Sequence, residues 1–338
     1  MTDIDSNISS LHDRRNYGDY LKQLGALAGL TLAIAFFSVM RPRTFFTLDT
    51  VDLVLRNTAI VATAAMGMTL IIISNGIDLS IGSQIALFTV ISALLVNAGI
   101  SPVFSVLLAT LANVMLGIFS GVLITKLRLL PFIVTLGTTT ILRGIAMVAA
   151  KNTTVEISEP YNSSPAMQWI GKLLVPLDAG HSWMLVAPGI WLTVLIAVAV
   201  ALTLRYTRFG RHVFAIGSNE QTALLCGIRV DTTKIMIYGI SGFLTAVAGL
   251  LEFSRLRVGD STTAVGRELD VIAAVVIGGG SLSGGQGSVI GTLTGALLMS
   301  VVNTGCVKMD LSSGLQSIVT GVIILVAVLL DRLQNRKN

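Results

Sequence analysis

The residue types that most often do chemistry are sparse in this 338-residue chain, and their spacing excludes most of what they could do. Two cysteines, Cys226 and Cys306, give neither a C-x-x-C metal or redox pair nor a disulfide framework. Three histidines, His12, His181 and His212, lie far apart and form no H-x-x-x-H ligand pair. A membrane-embedded enzyme would need paired carboxylates or a His/Asp set clustered at one interface, and no such cluster stands out. The remaining candidates are single polar residues in apolar surroundings: Asp78 in a Gly76–Ser80 turn, Arg143, and the amides Asn57, Asn75 and Asn303 at or near the ends of apolar runs. An ionisable residue inside such a run is a functional candidate by default. Asp78 is equally suited to capping the helix that follows it. Arg143 lies about 14 residues into its run, ~21 Å along a helix, where its long stem can carry the charge out to the interface. Snorkelling is the expectation for Arg143. Neutral amides suit a hydroxyl-rich solute that must pass without being held tightly, and Asn57, Asn75, Asp78 and Asn303 are the candidates for lining such a pathway.

The elements that must position these residues follow from composition. The apolar share is 53%, only 12% of residues are charged, and the mean hydropathy is +0.81. Soluble globular chains carry about twice that charge, so an ordinary soluble domain, a disordered chain and a collagen-like repeat are all excluded. The apolar residues lie in long runs, as in an integral membrane protein. In that setting the net charge of +5 orients loops against an anionic leaflet and gives no reason to expect nucleic acid.

A helix needs about 20 apolar residues to cross ~30 Å of hydrocarbon. Runs at 22–40, 54–74, 102–124, 129–150, 184–204, 235–252 and 313–331 meet that requirement, and 81–98, 269–280 and 288–303 are shorter or glycine-broken. The expected fold is therefore an all-α polytopic helical bundle with about ten transmembrane helices. Arg41 and Arg43 follow the first run where a cleavage site would need small residues, which predicts a retained first span. With both termini cytoplasmic, inner segments hold 13 basic residues and outer loops 8. Arg41, Arg43, Arg255, Arg257 and Arg267 then fall outside, against the positive-inside rule. The division is an N-terminal tail at 1–21, a membrane domain at 22–331 and a C-terminal tail at 332–338.

Some glycine patterns predict packing. Asn113, Gly117 and Gly121 share one helical face, and Gly291 and Gly295 repeat the small-x-x-x-small spacing that lets helix backbones approach. A faint echo at an offset of 203 residues relates Gly76, Leu79, Ser80 and Gly82 to Gly279, Leu282, Ser283 and Gly285. An internal repeat and shared Gly/Ser composition both account for four identities. Leu282–Gln286 also spells LSGGQ, the signature of ABC-type ATPases, but no G-x-x-x-x-G-K-[ST] phosphate loop exists in the chain. The ATPase reading fails.

The polar segment 205–234 holds Arg205, Arg208, Arg211, Arg229 and Lys234. It accommodates one or two short helices along the inner membrane face. Asn219 is placed to cap a helix of roughly seven residues starting near Glu220, with Gly227 as its terminator and Ala223 and Leu224 available to a partner. A solvated basic loop at the lipid headgroups is the competing reading from composition.

The blocks T-x-F-G-R at 207–211, A-I-G-x-N-E at 215–220 and G-I-x-V at 227–230 carry a resemblance. So do G-I-D-L-S-I-G at 76–82, L-P-F-I-V-T-L-G-T at 130–138 and V-I-G-G-G-S-L-S-G-G at 276–285. In that order, across roughly residues 50 to 331, the chain resembles permeases of the ribose/xylose/arabinose class of bacterial ABC importers. The resemblance implies a multi-pass subunit in the bacterial inner membrane that translocates a monosaccharide, with a ribose-like pentose favoured. It implies partners: separate ATPase subunits, a periplasmic sugar-binding protein and a second permease subunit, all in membrane lipid, with no cofactor and no chemistry on this chain. It also implies that 205–234 is the loop an ATPase grips, through Arg208, Gly210, Arg211, Gly217, Asn219, Glu220, Ala223 and Gly227. The importer pattern E-A-A-x-x-x-G aligns with Gln221, Thr222, Ala223 and Gly227, so two of its three leading residues differ here. An ion-coupled secondary transporter of a small polar solute is the alternative, and it would require a buried acid, histidine or broken-helix ion site.

Overall fold

The computed structural model describes residues 25–175 and 186–335. The tail at 1–21, the start of the first span, His12, His181 and the end of the 332–338 tail lie outside these residues. The described chain is almost entirely helical: α1 (Gly25–Met40), α2 (Pro42–Phe45), α3 (Leu48–Ile73), α4 (Ile81–Asn97), α5 (Pro102–Lys126), α6 (Pro131–Ala149) and α7 (Pro165–Gly171). There follow α8 (Pro188–Tyr206), α9 (Arg208–Ser218), α10 (Glu220–Leu225), α11 (Val230–Leu256), α12 (Arg267–Ile277), α13 (Val289–Lys308) and α14 (Ser313–Asn335). Two-residue strands, β1 (Val155–Glu156) and β2 (Val258–Gly259), pair antiparallel and tie two long connections together.

Local chemistry sets the helix starts. Pro102, Pro131, Pro165 and Pro188 each sit in the first turn, where a missing N–H costs nothing. The side chains of Thr47, Ser101, Thr207 and Ser288 accept from backbone N–H groups two or three residues on, satisfying donors the helix cannot.

Among the described residues, six helices, α3, α5, α6, α8, α11 and α13, are long and apolar enough to cross a membrane, and α1, α4 and α14 contain shorter apolar stretches. The expected 288–303 run thus becomes a full-length helix. The 269–280 run does not. Helix α12 has 11 residues, a rise of about 16 Å, half of what a crossing needs. Its C-cap is Gly278, and a glycine-rich turn continues to Ser288. Such irregular backbone survives at membrane depth only under protein cover, and α3 and α9 supply it. Gly285 N–H donates to Ile73 C=O at 2.8 Å.

Helix α3 is the central rod: every residue from Ala59 to Ile73 is buried. It packs against α11, α13, α12 and α8. Helices α5, α6 and α8 instead present outward rows of large apolar side chains, including Leu107, Leu111, Phe119, Ile133, Ile141 and Leu195. This is the distribution expected when lipid replaces water outside and the driving force moves to close backbone contact. The expected small-residue contacts provide it. A Cβ on Gly117 would lie 2.3 Å from Tyr238 C=O on α11, and one on Gly291 would lie 1.8 Å from Gly278 C=O at the end of α12. The two segments of the 203-residue echo also meet, with Gly284 packed on Asn75.

Candidate functional site

Two features lie at opposite ends of α3, which at 26 residues is about 39 Å long. At the end near Leu53 and Asn57 a cavity of ≈ 570 Å³ opens between α3, the C-terminal ends of α11 and α13, and the N-terminal ends of α12 and α14. That volume is in the range of small-molecule pockets. At the Ile73 end, α9 packs against the turns at 74–80 and 278–288, and α10 packs on α9.

The cavity is polar and contains charge. Glu252, 1% exposed, pairs with Arg255 one turn on, and Thr263 Oγ1 donates to its Oε1 at 2.9 Å. Arg255 Nη1 donates to Asn57 Oδ1 at 3.0 Å. Opposite them on α12, Asp270 accepts from Asn303 Nδ2 at 3.1 Å and pairs with Arg267 at 3.6 Å. Beside the cavity, Asp52 and Arg56 pair at 2.9 Å. All three acids lie near helix ends: Asp52 in the second turn of α3, Glu252 in the last two turns of α11 and Asp270 in the first turn of α12. Burying a carboxylate in apolar surroundings is tolerated when a cation and hydrogen bonds accompany it. Each of these acids has its arginine one turn away on the same helix.

These pairs are what sequence reasoning missed, and a signal for them existed. Asp52/Arg56, Glu252/Arg255 and Arg267/Asp270 stand at i,i+4 or i,i+3, the spacings at which helical side chains meet. The same pairing gives Arg255 and Arg267 local partners. Each is neutralised locally by its own acid.

Of the amides, Asn57 and Asn303 line this cavity although 246 positions separate them. Asn75 and Asp78 lie at the other end of α3. Asn75 has φ +61°, and its N–H donates to Ile72 C=O while that of Gly76 donates to Ile71 C=O, which closes α3 with a left-handed cap. Asp78 Oδ1 accepts from Ser80 N–H at 2.8 Å and Ser80 Oγ at 2.6 Å, making a turn one step before the helix it was expected to cap. Burial pushes its carboxyl above the ordinary range, and the two Ser80 bonds pull it partway back. Side chains from neighbouring helices hold the turn itself: Tyr238 and Thr135 hydroxyls donate to Ile77 C=O, and Thr139 donates to Leu79 C=O at 2.6 Å.

Arg143 turns its charge to irregular backbone. Its Nη1 donates to Ser261 C=O at 2.7 Å and Thr263 C=O at 2.8 Å, both in the connection between β2 and α12. A charged donor thereby satisfies two carbonyls of the irregular chain.

The 205–234 segment folds into two helices, as expected of the helical reading. Asn219 Oδ1 accepts from Thr222 N–H at 2.9 Å and caps the six-residue α10. Gly227, at φ +82°, ends it: its N–H donates to Leu224 C=O and that of Ile228 to Ala223 C=O. Arg208, Arg211, Asn219, Glu220 and Gly227 are exposed, while Gly210, Gly217 and Ala223 are buried. The expectation that Ala223 is available to a partner is therefore corrected. It is 3% exposed and packs on Ile216 and Val230, leaving Leu224 and Leu225 outward at 62% and 87%. Glu220 pairs with Lys234 at 2.7 Å and pins α10 to α11. Asn219→Ala should cost about 1 kcal/mol of local stability. Amide hydrogen exchange at 220–227 should then speed up several-fold; unchanged protection would show that the Ala223 contact alone holds α10.

No cluster of His, Cys, Asp and Glu that could hold a metal occurs among the described residues.

Comparison with known proteins places these features in context. Residues 50–328 match the family model described as the permease component of the branched-chain amino acid transport system. The chain is 38% identical over 320 residues to the ribose import permease protein of Bacillus subtilis, covering 94% of this chain and 95% of that protein. It is 37% identical over 312 residues to the ribose import permease protein of Escherichia coli K12, covering 92% and 94%. An autoinducer 2 import system permease protein of Photorhabdus laumondii is 32% identical over 310 residues, covering 92% and 89%. No solved structure matches the chain.

Proposed function

Because the chain belongs to the family of branched-chain amino acid transport system permease components, we propose that it is the membrane-spanning permease of an ATP-driven importer for a monosaccharide, with a ribose-like pentose favoured. The observation that carries this reading is nearly end-to-end similarity to ribose import permeases, which includes the turn at 74–80, the glycine-rich turn after α12 and the 205–234 helices. The family description concerns amino acids. A branched aliphatic side chain would want an apolar pocket, whereas the cavity between α3, α11 and α12 holds two carboxylate–arginine pairs, two asparagines and several hydroxyls in its lining.

In this reading the chain crosses the bacterial inner membrane ten times, α12 and its glycine-rich continuation together making one crossing, with both termini in the cytoplasm. The cavity then faces outward, where a periplasmic binding protein delivers sugar, and α9–α10 face inward. An ATPase subunit docks there on Arg208, Arg211, Glu220 and the exposed Leu224 and Leu225. Gly210, Gly217, Ala223 and Gly227 shape the docking helices from within. A second permease subunit, identical or a sister chain, completes the pathway. Asn57 and Asn303 contact the solute, and the turn holding Asn75 and Asp78 lies between the pathway and the docking helices. The chain performs no chemistry and takes no cofactor.

Reconstitution tests this. In liposomes containing the chain, its ATPase and its binding protein, labelled ribose should enter only with ATP. Arg208→Glu should leave the protein inserted but reduce sugar-stimulated ATP hydrolysis by at least tenfold. Uptake driven by an ion gradient with the ATPase omitted would overturn the importer reading in favour of a secondary carrier.

A further inference from the structure

The cavity at the Asn57 end of α3 has unused bonding capacity of one particular kind. Glu252 Oε2 has no hydrogen-bond partner among the described residues, and neither has Arg255 Nε. Glu252 is 1% exposed, lines the cavity, and has its other oxygen engaged by Arg255 and Thr263. A carboxylate oxygen only accepts and a guanidinium nitrogen only donates. One turn apart on α11, the two present one vacant acceptor beside one vacant donor. Leaving such groups buried and unpaired is costly, so a ligand that satisfies them gains what the empty site forgoes.

A hydroxyl group matches this pattern, since it donates and accepts at once. The charge balance narrows the ligand further. Glu252 and Asp270 are matched by Arg255 and Arg267, so the lining has no net charge. An anionic solute such as a sugar phosphate would face the unpaired Glu252 oxygen, and a cation would face the unpaired Arg255 Nε beside it. A neutral polyol meets neither repulsion.

We propose that Glu252 and Arg255, with Asp270 and Asn303 on the facing helices, form a subsite that holds adjacent hydroxyls of a neutral monosaccharide during its passage. This rests on the importer reading and assigns the contact that the solute makes with the permease itself. Thr263 is a positioning residue: its hydroxyl occupies Glu252 Oε1 and leaves Oε2 for the ligand.

The test uses the complete transporter in proteoliposomes, with labelled ribose and saturating loaded binding protein. The double variant Glu252→Gln with Arg255→Met removes both charges together and so abolishes the subsite without stranding either partner. Its maximal uptake rate should fall about tenfold or more, with the half-saturating concentration of loaded binding protein unchanged. The wild-type preference for ribose over 2-deoxyribose should narrow in the same variant. Wild-type rates and preference in the double variant would overturn the subsite and show a structural ion pair only. If the double variant does not insert, Asn303→Ala is read by the same criteria and decides in the same way. Absence of ATP-dependent uptake by the wild-type complex would instead overturn the importer reading beneath it.

Discussion

Gly217→Ala is expected to lower the thermal midpoint of the purified protein by several degrees and to cut ATP-driven uptake at least tenfold. A Cβ at this position would stand 1.6 Å from Ile73 C=O and 2.6 Å from Gly285 N. Both atoms are backbone, and they are bonded to each other at 2.8 Å, so neither can turn aside as a side-chain tip would. Helix α9 must withdraw from the ends of both turns. Overpacking of this kind costs about 1–3 kcal/mol and occasionally more. The functional loss should exceed the stability loss, because this junction is where α9 touches the C-terminal end of the central rod. The control is Gly137→Ala on α6, where a Cβ meets nothing within 4 Å. There alanine should be neutral or slightly stabilising, since glycine weakens a helix interior. Equal behaviour of the two variants in a melting series would refute the close-contact account.

Arg143→Met is expected to release the connection between β2 and α12. The arginine is the shared donor for Ser261 and Thr263 carbonyls. Hydrogen bonds to a charged group contribute about 1.5–3 kcal/mol each, so losing two should raise exchange rates across residues 260–266 by at least tenfold. Uptake should fall with it, because Thr263 and Arg267 lie in or next to this segment and reach the cavity acids. Arg143→Lys keeps the charge and enough donors for both carbonyls, but its reach is shorter and its flexible ammonium is not preorganised, so it should recover the function only in part. Exchange mass spectrometry checks the first effect, and unchanged protection in Arg143→Met would mean that the β1–β2 pairing alone holds the loop.

Much of the fold was legible because its signals are local. The caps at Asn219 and the terminator at Gly227 were read from three- and four-residue spacings and are present as expected. Gly117 and Gly291 were read as packing residues from a four-residue repeat, and both abut neighbouring backbone. The glycine break of the 269–280 run was legible too. Hydropathy counts Val271–Ile277 and Gly278–Gly280 together, but only the first part has the torsional preference to stay helical. Exposure failed at Ala223, because which side of a six-residue helix is buried depends on Ile216 and Val230 in other elements. The partners of Arg143 were not legible for a related reason. Its carbonyl partners lie 118 and 120 residues away, and no pattern around position 143 announces them.

The amino-acid sequence by itself determined that this is a multi-pass membrane protein, that it is helical, and that 205–234 is its longest basic polar segment between apolar runs. Those properties follow from transfer free energies and torsional preferences that accumulate residue by residue along the chain. Only the tertiary structure decided that Asn57, Glu252, Asp270 and Asn303 share one cavity, and that the Asn75 and Gly284 turns meet under α9. It also showed that the acids overlooked in the sequence are buried beside their own arginines. Convergence of this sort depends on which helix faces touch, and small residues make that choice by letting some backbones approach to contact while larger side chains hold others apart.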